Sequence, residues 1–131
     1  MILKTYTRVI TNNLEASLNP LKMLVGREPD ICIPLPDIAV ELVAIGDFLI
    51  IAGPKDSIKS FRDVLGPVIV DDLEATQTML EQSGAEIYSP IREVSTGRLL
   101  FSRTLDGVVI EWLEWRSDIW KQVKAASAIS T

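Results

Sequence analysis

Apolar and polar positions along the chain run through one pattern twice. VITNNLEAS (9–17) and VIVDDLEAT (68–76) match in register at an offset of 59 positions. Each is a β-branched run, two polar residues and then Leu-Glu-Ala. Val9–Thr11 and Val68–Val70 predict strands. The Leu-Glu-Ala segments predict helices: Leu14, Leu18, Leu21 and Val25 share one face until Gly26 stops the first. Leu73, Thr76 and Leu80 share a face in the second, with Met79 beside them, until Gly84. Asn12-x-x-Glu15 and Asp71-x-x-Glu74 have the spacing of a capping box, which makes Glu15 and Glu74 expected caps. Pro20 falls inside the first helix, where it costs about 3 kcal/mol, so that helix is expected to be bent or interrupted.

Strand patterns fill the rest of each copy. The first half offers 31–35, 38–45 and 48–52, with Gly46-Asp47 as a hairpin turn. The second offers 85–89, 98–103 and 108–115, with Asp106-Gly107 as the turn. The chain therefore reads as one domain: module one at 3–53, a polar linker at 54–62, module two at 63–115 and a tail at 116–131, frayed from 121 onward. Each module is βαβββ. One helix on a four-stranded sheet leaves the other sheet face bare, so the modules are expected to join. The predicted class is α+β, a curled mixed sheet with helices outside and a concave cavity within.

Composition narrows the chemistry. At 131 residues and 47% apolar content the chain can bury one proper core. Its apolar runs are of strand length, so no membrane span is expected. MILKTYTRV lacks the apolar stretch of a secretory signal, and a cytoplasmic location is expected. Cys32 is the single cysteine; no intrachain disulfide can form, and a small buried hydrophobe is the simplest reading. The net charge is −5, with scattered Lys and Arg, which argues against nucleic acid as a partner. There is no histidine, so no Ser-His-Asp or Cys-His nucleophile, imidazole metal ligand or histidine base can be built. Carboxylates, Tyr, Lys, Arg or binding alone must carry any activity.

DDLEAT after a short strand, SGAEI closing the helix, TGR before a strand and a final RTLDGVVIEWLE together resemble the vicinal oxygen chelate superfamily. That group holds glyoxalases, bleomycin-resistance proteins and extradiol dioxygenases, and the resemblance spans residues 3–115. It implies the curled sheet, an open cavity and a homodimer. Metal-dependent members place four ligand positions on the first and last strands of the modules. Counting back eight residues from the Leu of each LEA puts the first-strand positions at Tyr6 and Leu65. Counting four on from each turn glycine puts the last-strand positions at Ile50 and Glu111. Only Glu111 is an ordinary ligand, although Glu41 lies near enough in sequence to substitute. Zinc and non-haem iron want three or more N, S or O donors, so neither a metal nor another cofactor is expected.

Individual residues divide between structural and functional readings. Glu111 alternates with Val109 and Leu113 on one strand face. It is either a paired or solvated carboxylate, or a desolvated one serving as base or counter-ion. Arg8 could hold an anionic or carbonyl group, or neutralise Glu111; it shares a face with Tyr6 if 3–11 is one strand. Glu41 is either on an exposed face or lines the pocket. Tyr6, Phe48 and Phe101 are candidate aromatic walls, with Ile50, Leu65 and Leu113 as apolar lining. Trp112 should pack under a helix; Trp115 and Trp120 suit a sheet edge or a dimer contact. The leading expectation is a metal-free protein that binds a small organic molecule. The alternative is a lyase or isomerase for a small carbonyl or hydroxy-acid substrate, with Glu111 as acid/base and Tyr6 and Arg8 polarising oxygen. A scaffold filled by its own side chains is the third.

Overall fold

The two copies of the pattern fold into two mixed sheets of matching topology. A computed structural model of the chain describes residues 1–129. In order the elements are β1 (Ile2–Thr5), β2 (Thr7–Thr11), α1 (Leu14–Val25), β3 (Ile31–Leu35), β4 (Val40–Ile45), β5 (Phe48–Ala52), α2 (Lys55–Ile58), β6 (Val64–Val70), α3 (Leu73–Gln82), β7 (Glu86–Val94), β8 (Gly97–Arg103), β9 (Val109–Trp115) and α4 (Ser117–Ile129). Module one is ordered β2-β5-β4-β3 and module two β6-β9-β8-β7, with β1 added beyond β6. In each, the first strand runs parallel to the last and the remaining pairs are antiparallel. The fold is α+β, as the repeat predicts.

The chain divides into two compact units. The module-one unit is residues 7–62 with α4; the module-two unit is residues 1–6 with 63–116. The stretch 3–11 is thus two strands in two sheets, because β1 pairs antiparallel with β6 and β2 pairs parallel with β5. Tyr6 and Arg8 therefore do not share a strand face.

Each helix covers one face of its own sheet. Leu14, Leu18 and Leu21 of α1 pack on Val9, Val43, Ile50 and Ala52. Leu73 and Leu80 of α3 pack with Val68, Val70, Leu100, Ile87 and Trp112, so Trp112 does lie under a helix. Fully burying such a side chain contributes about 1.5–3 kcal/mol over an exposed one, and the half-buried leucines of α1 gain part of that. That burial carries α1 without a break through Pro20, and the expected interruption is absent. One lost helical hydrogen bond is outweighed by the apolar face around it.

The caps stand one residue later than the capping-box spacing suggests. Asn13 Oδ1 accepts from the Ala16 amide at 3.2 Å, and Asp72 Oδ1 from the Ala75 amide at 3.0 Å. The glutamate two residues after each cap cannot complete the box. In module two Glu74 turns instead to the Arg98 guanidinium, with Nη2–Oε2 at 2.9 Å. Arg98 also binds Glu114 at 3.1 Å, and Glu114 Oε2 accepts the Leu73 amide at 3.0 Å. This ion triad pins the start of α3 to the sheet.

Three further expectations are corrected. The tail is helical through Ile129, because Ile119 and Val123 recur one turn apart and are both buried; positions 130 and 131 lie outside the described residues. The linker holds α2 and a 3₁₀ turn at Lys59–Phe61, anchored by buried Ile58. Cys32 is exposed, since β3 is an edge strand. Partial desolvation of its thiol, followed by the Glu41 charge, still raises the pKa.

Candidate functional site

The sheet face that α3 leaves uncovered holds the largest group of candidate residues. Val68 and Trp112 sit directly opposite one another on the α3 side, so alternation sends Glu111, Leu113 and Trp115 to the other side. Phe101 lies directly across from Glu111, and Leu113 lies between Leu99 and Ile69. Lys4 sits opposite Ile69, with its ammonium 5.2 Å from the Tyr6 ring centroid. The Tyr6 ring meets Trp115 edge-on at 6.4 Å. Tyr6, Phe101, Glu111 and Leu113 are thereby brought onto one face.

That face has a dry part and a wet part. Ile69, Leu99, Leu113, Trp115 and Tyr6 are buried, while Glu111 and Phe101 are partly exposed. The Arg92 guanidinium lies 6.0 Å from the Phe101 ring centroid, on the far side of Phe101 from Glu111. Arg103 is held by Glu86 at 2.6 Å and stacks over Tyr88 at 4.7 Å. Glu86 draws the Arg103 pKa up, and Arg103 draws the Glu86 pKa down. Behind Glu111 the chain needs glycine: Gly66 has φ 101°, and a Cβ there would meet the Glu111 carbonyl oxygen at 2.8 Å.

The other candidates go elsewhere. Val9 faces Ile50 as Val68 faces Trp112, so Ile50 corresponds to Trp112 and is fully buried beneath α1. The counterpart of Glu111 is Leu49. Counting from the turn glycine slips by one because the hairpins differ: Gly46 opens a two-residue turn, whereas Gly107 sits fourth in a five-residue loop. Phe48 and Glu41 share the Ile50 side by alternation, on the α1 face. Leu65 is displaced by an irregularity at residues 65–68, pairs with Ile110 and is exposed. Arg8 donates to the Phe61 carbonyl at 3.1 Å and lies 5.9 Å from that ring centroid.

Lys4 and Arg92 were not among the sequence candidates. Lys4 stands two residues before Tyr6, and strand alternation alone could have found it. Arg92 lies beyond the strand expected at 85–89; β7 runs on through Pro90 to Val94, and as an edge strand it tolerates the proline.

No protein-family model matches the chain, and no curated protein matches it. Among solved structures, an uncharacterized protein from Methanosarcina mazei superposes with a TM-score of 0.80 at 34% identity, over 88% of this chain and 94% of that one. Methylmalonyl-CoA epimerase from Mycobacterium tuberculosis superposes at 0.65 and 19% identity, over 92% and 93%. A Streptomyces coelicolor methylmalonyl-CoA epimerase variant in complex with 2-nitronate-propionyl-CoA gives 0.65 and 15%, over 89% and 97%. The chain thus has the fold of the methylmalonyl-CoA epimerases, which is the fold that its resemblance to the vicinal oxygen chelate superfamily implies. With the register read from the strands, the four positions that hold metal in metal-dependent members of the superfamily fall on Tyr6, Leu65, Leu49 and Glu111. One carboxylate, one buried phenol and two leucines do not suit a transition metal. Among the described residues no group of three or more His, Cys, Asp and Glu is placed to hold one.

Proposed function

We propose that the protein binds a small organic molecule on the Glu111 face, without a metal, and works as a cytoplasmic homodimer that sequesters or senses its ligand. The observation that carries this reading is the break in the repeat at Glu111. Leu49 at the matching place is a buried aliphatic side chain, whereas Glu111 puts a carboxylate at the boundary between the dry and wet parts of its sheet. Partial desolvation strengthens whatever a carboxylate contacts. Phe101 supplies a flat apolar neighbour, and Arg92 and Lys4 supply positive charge on the same face. Small-molecule sites commonly combine apolar walls with a few placed polar groups. Native mass spectrometry of protein purified without chelator tests this directly. The expected spectrum is a dimer carrying an organic adduct and no transition metal; one metal ion per site would sink the reading.

A second reading is favoured by one observation, that methylmalonyl-CoA epimerases superpose along nearly the whole chain. Here the protein is an isomerase or lyase acting beside a carbonyl. The Glu111 carboxylate takes a proton from the carbon next to the carbonyl, the carbonyl becomes an enolate, and the proton returns to carbon. Deuterium exchange into methylmalonyl-CoA in D₂O checks it: exchange above the enzyme-free rate, abolished in Glu111→Gln, supports catalysis. Exchange at the enzyme-free rate leaves binding alone.

A further inference from the structure

The ends of the two helices that face the chain's start are built differently, and the difference marks a cleft. Strand pairing makes Glu41 the counterpart of Arg98, because Val43 faces Ile50 as Leu100 faces Trp112. By the same pairing Ala52 is the counterpart of Glu114. In module two Arg98 and Glu114, with Glu74, close the start of α3 by ion pairing. Module one has neither the guanidinium nor the second carboxylate at those places. In their stead lies an open cleft of about 590 Å³, lined by Asn12, Leu14, Pro34, Glu41, Ala52 and Pro54 among others. That volume is ordinary for a small-molecule site, roughly 300–1,000 Å³.

The walls are stiff and apolar, and the charge in them is single. Pro34, Pro36 and Pro54 all line the cleft; each has a fixed φ, so little order is left to impose when a ligand enters. Ala39, at the rim, adopts φ 55°, a conformation that costs a non-glycine residue energy. Its carbonyl oxygen would lie 2.6 Å from a Cβ on Gly53, so the two backbones are in close approach there. Glu41 is partly buried and carries no ion pair among the described residues, and its charge is felt at the Cys32 thiol. The Lys22 ammonium, which also acts on Cys32, is engaged by Glu28 at 3.2 Å.

We propose that this cleft is a second binding site, separate from the Glu111 face, for a small organic cation: an ammonium or guanidinium group on an apolar body. The positive group pairs with Glu41, as Arg98 pairs with Glu74 and Glu114 in module two. The apolar body lies against the prolines, Leu14 and Ala52. A neutral molecule of the same shape keeps the wall contacts and loses the ion pair.

Amide chemical-shift titration with benzylamine and with benzyl alcohol tests the site on the intact chain. Benzylamine is expected to give saturable shifts centred on Ala39, Gly53 and Glu41, and benzyl alcohol to bind about tenfold more weakly or less, the weight of one charge-assisted contact. Glu41→Gln should remove that preference, and Glu41→Arg, which installs the module-two residue, should abolish benzylamine binding. Glu93→Gln, which removes one exposed charge in the other unit, should leave the titration unchanged. Equal binding of the two probes, a preference that survives Glu41→Gln, or the absence of saturable shifts at these amides would overturn the assignment.

Discussion

Leu49 and Glu111 occupy the same place in the two modules and live in different surroundings. Around Leu49 the sheet face is mostly aliphatic: Leu42, Ala44, Leu49 and Ile51 are all buried, and the one charged neighbour across from Leu49, Arg8, donates to the Phe61 carbonyl. Around Glu111 the face changes along the strand, from buried Leu113 and Leu99 to partly exposed Phe101 and Glu111, with Arg92 and Arg103 beyond. One fold thus serves mainly as packing in module one and as a mixed, partly wetted surface in module two. The repeat explains the architecture, and departures from the repeat locate the chemistry. Arg98 against Glu41 is the second such departure, on the helix side.

Exchanging the two residues puts the sharpest strain on that comparison. Leu49→Glu replaces a buried aliphatic side chain with a carboxylate whose one charged neighbour, Arg8, already holds the Phe61 carbonyl, and the urea midpoint should report a loss of about 3 kcal/mol. That is a large share of the roughly 5–15 kcal/mol that holds a domain together. Glu111→Leu in the same assay should stay within about 1 kcal/mol of the parent. Equal losses from the two variants would mean that the faces are not different in kind.

The helices offer a smaller contrast. Pro20 of α1 corresponds to Met79 of α3, and Met79 is exposed. Pro20→Met restores a hydrogen-bond donor and removes a ring from the preceding turn, so thermal or urea unfolding should show a gain of about 2 kcal/mol. No gain would mean that α1 is already relaxed around its proline. Ile50→Val trims a methyl group beneath α1 and should cost about 1 kcal/mol, without altering ligand binding on the Glu111 face. A binding change there would return Ile50 to the candidate site.

Much of this was legible in the sequence, for identifiable reasons. Strand and helix positions follow from alternation and from β-branched runs, and Ile31–Leu35 and Phe48–Ala52 fall where the pattern predicts them. The register of β5 against β9 was not legible, because a glycine marks a turn without stating its length. Gly46 and Gly107 take positive φ in turns of two and five residues, and the one-residue slip exchanges faces. The caps slipped for a related reason. Two successive polar residues, Asn12-Asn13 and Asp71-Asp72, can each cap, and only the backbone decides. Arg98 went unassigned because its partners, Glu74 and Glu114, come from separate elements.

The smallest expected effect is a pH dependence that the Arg98–Glu74 pair gives module two. Arg98 holds the Glu74 carboxyl at about 2, below its ordinary 4.5. A carboxylate with a lowered folded-state pKa contributes stability above its unfolded pKa and loses it as pH falls. The contribution of Glu74 should therefore be complete above about pH 4.5 and fade toward pH 2. Urea midpoints for the parent and Glu74→Gln should differ most at neutral pH and converge on acidification. A difference that persists undiminished at low pH would dissolve this part of the contrast.

The most direct test of the Glu111 face uses the protein's own selectivity. The parent, Glu111→Leu and Glu41→Gln chains are each incubated with a small-molecule extract of cells and measured by native mass spectrometry, with circular dichroism confirming that all three are folded. An organic adduct on the parent that persists in Glu41→Gln and disappears in Glu111→Leu is the expected result. An adduct that survives Glu111→Leu at the parent's occupancy, or no adduct on any chain, would contradict the assignment of binding to that face.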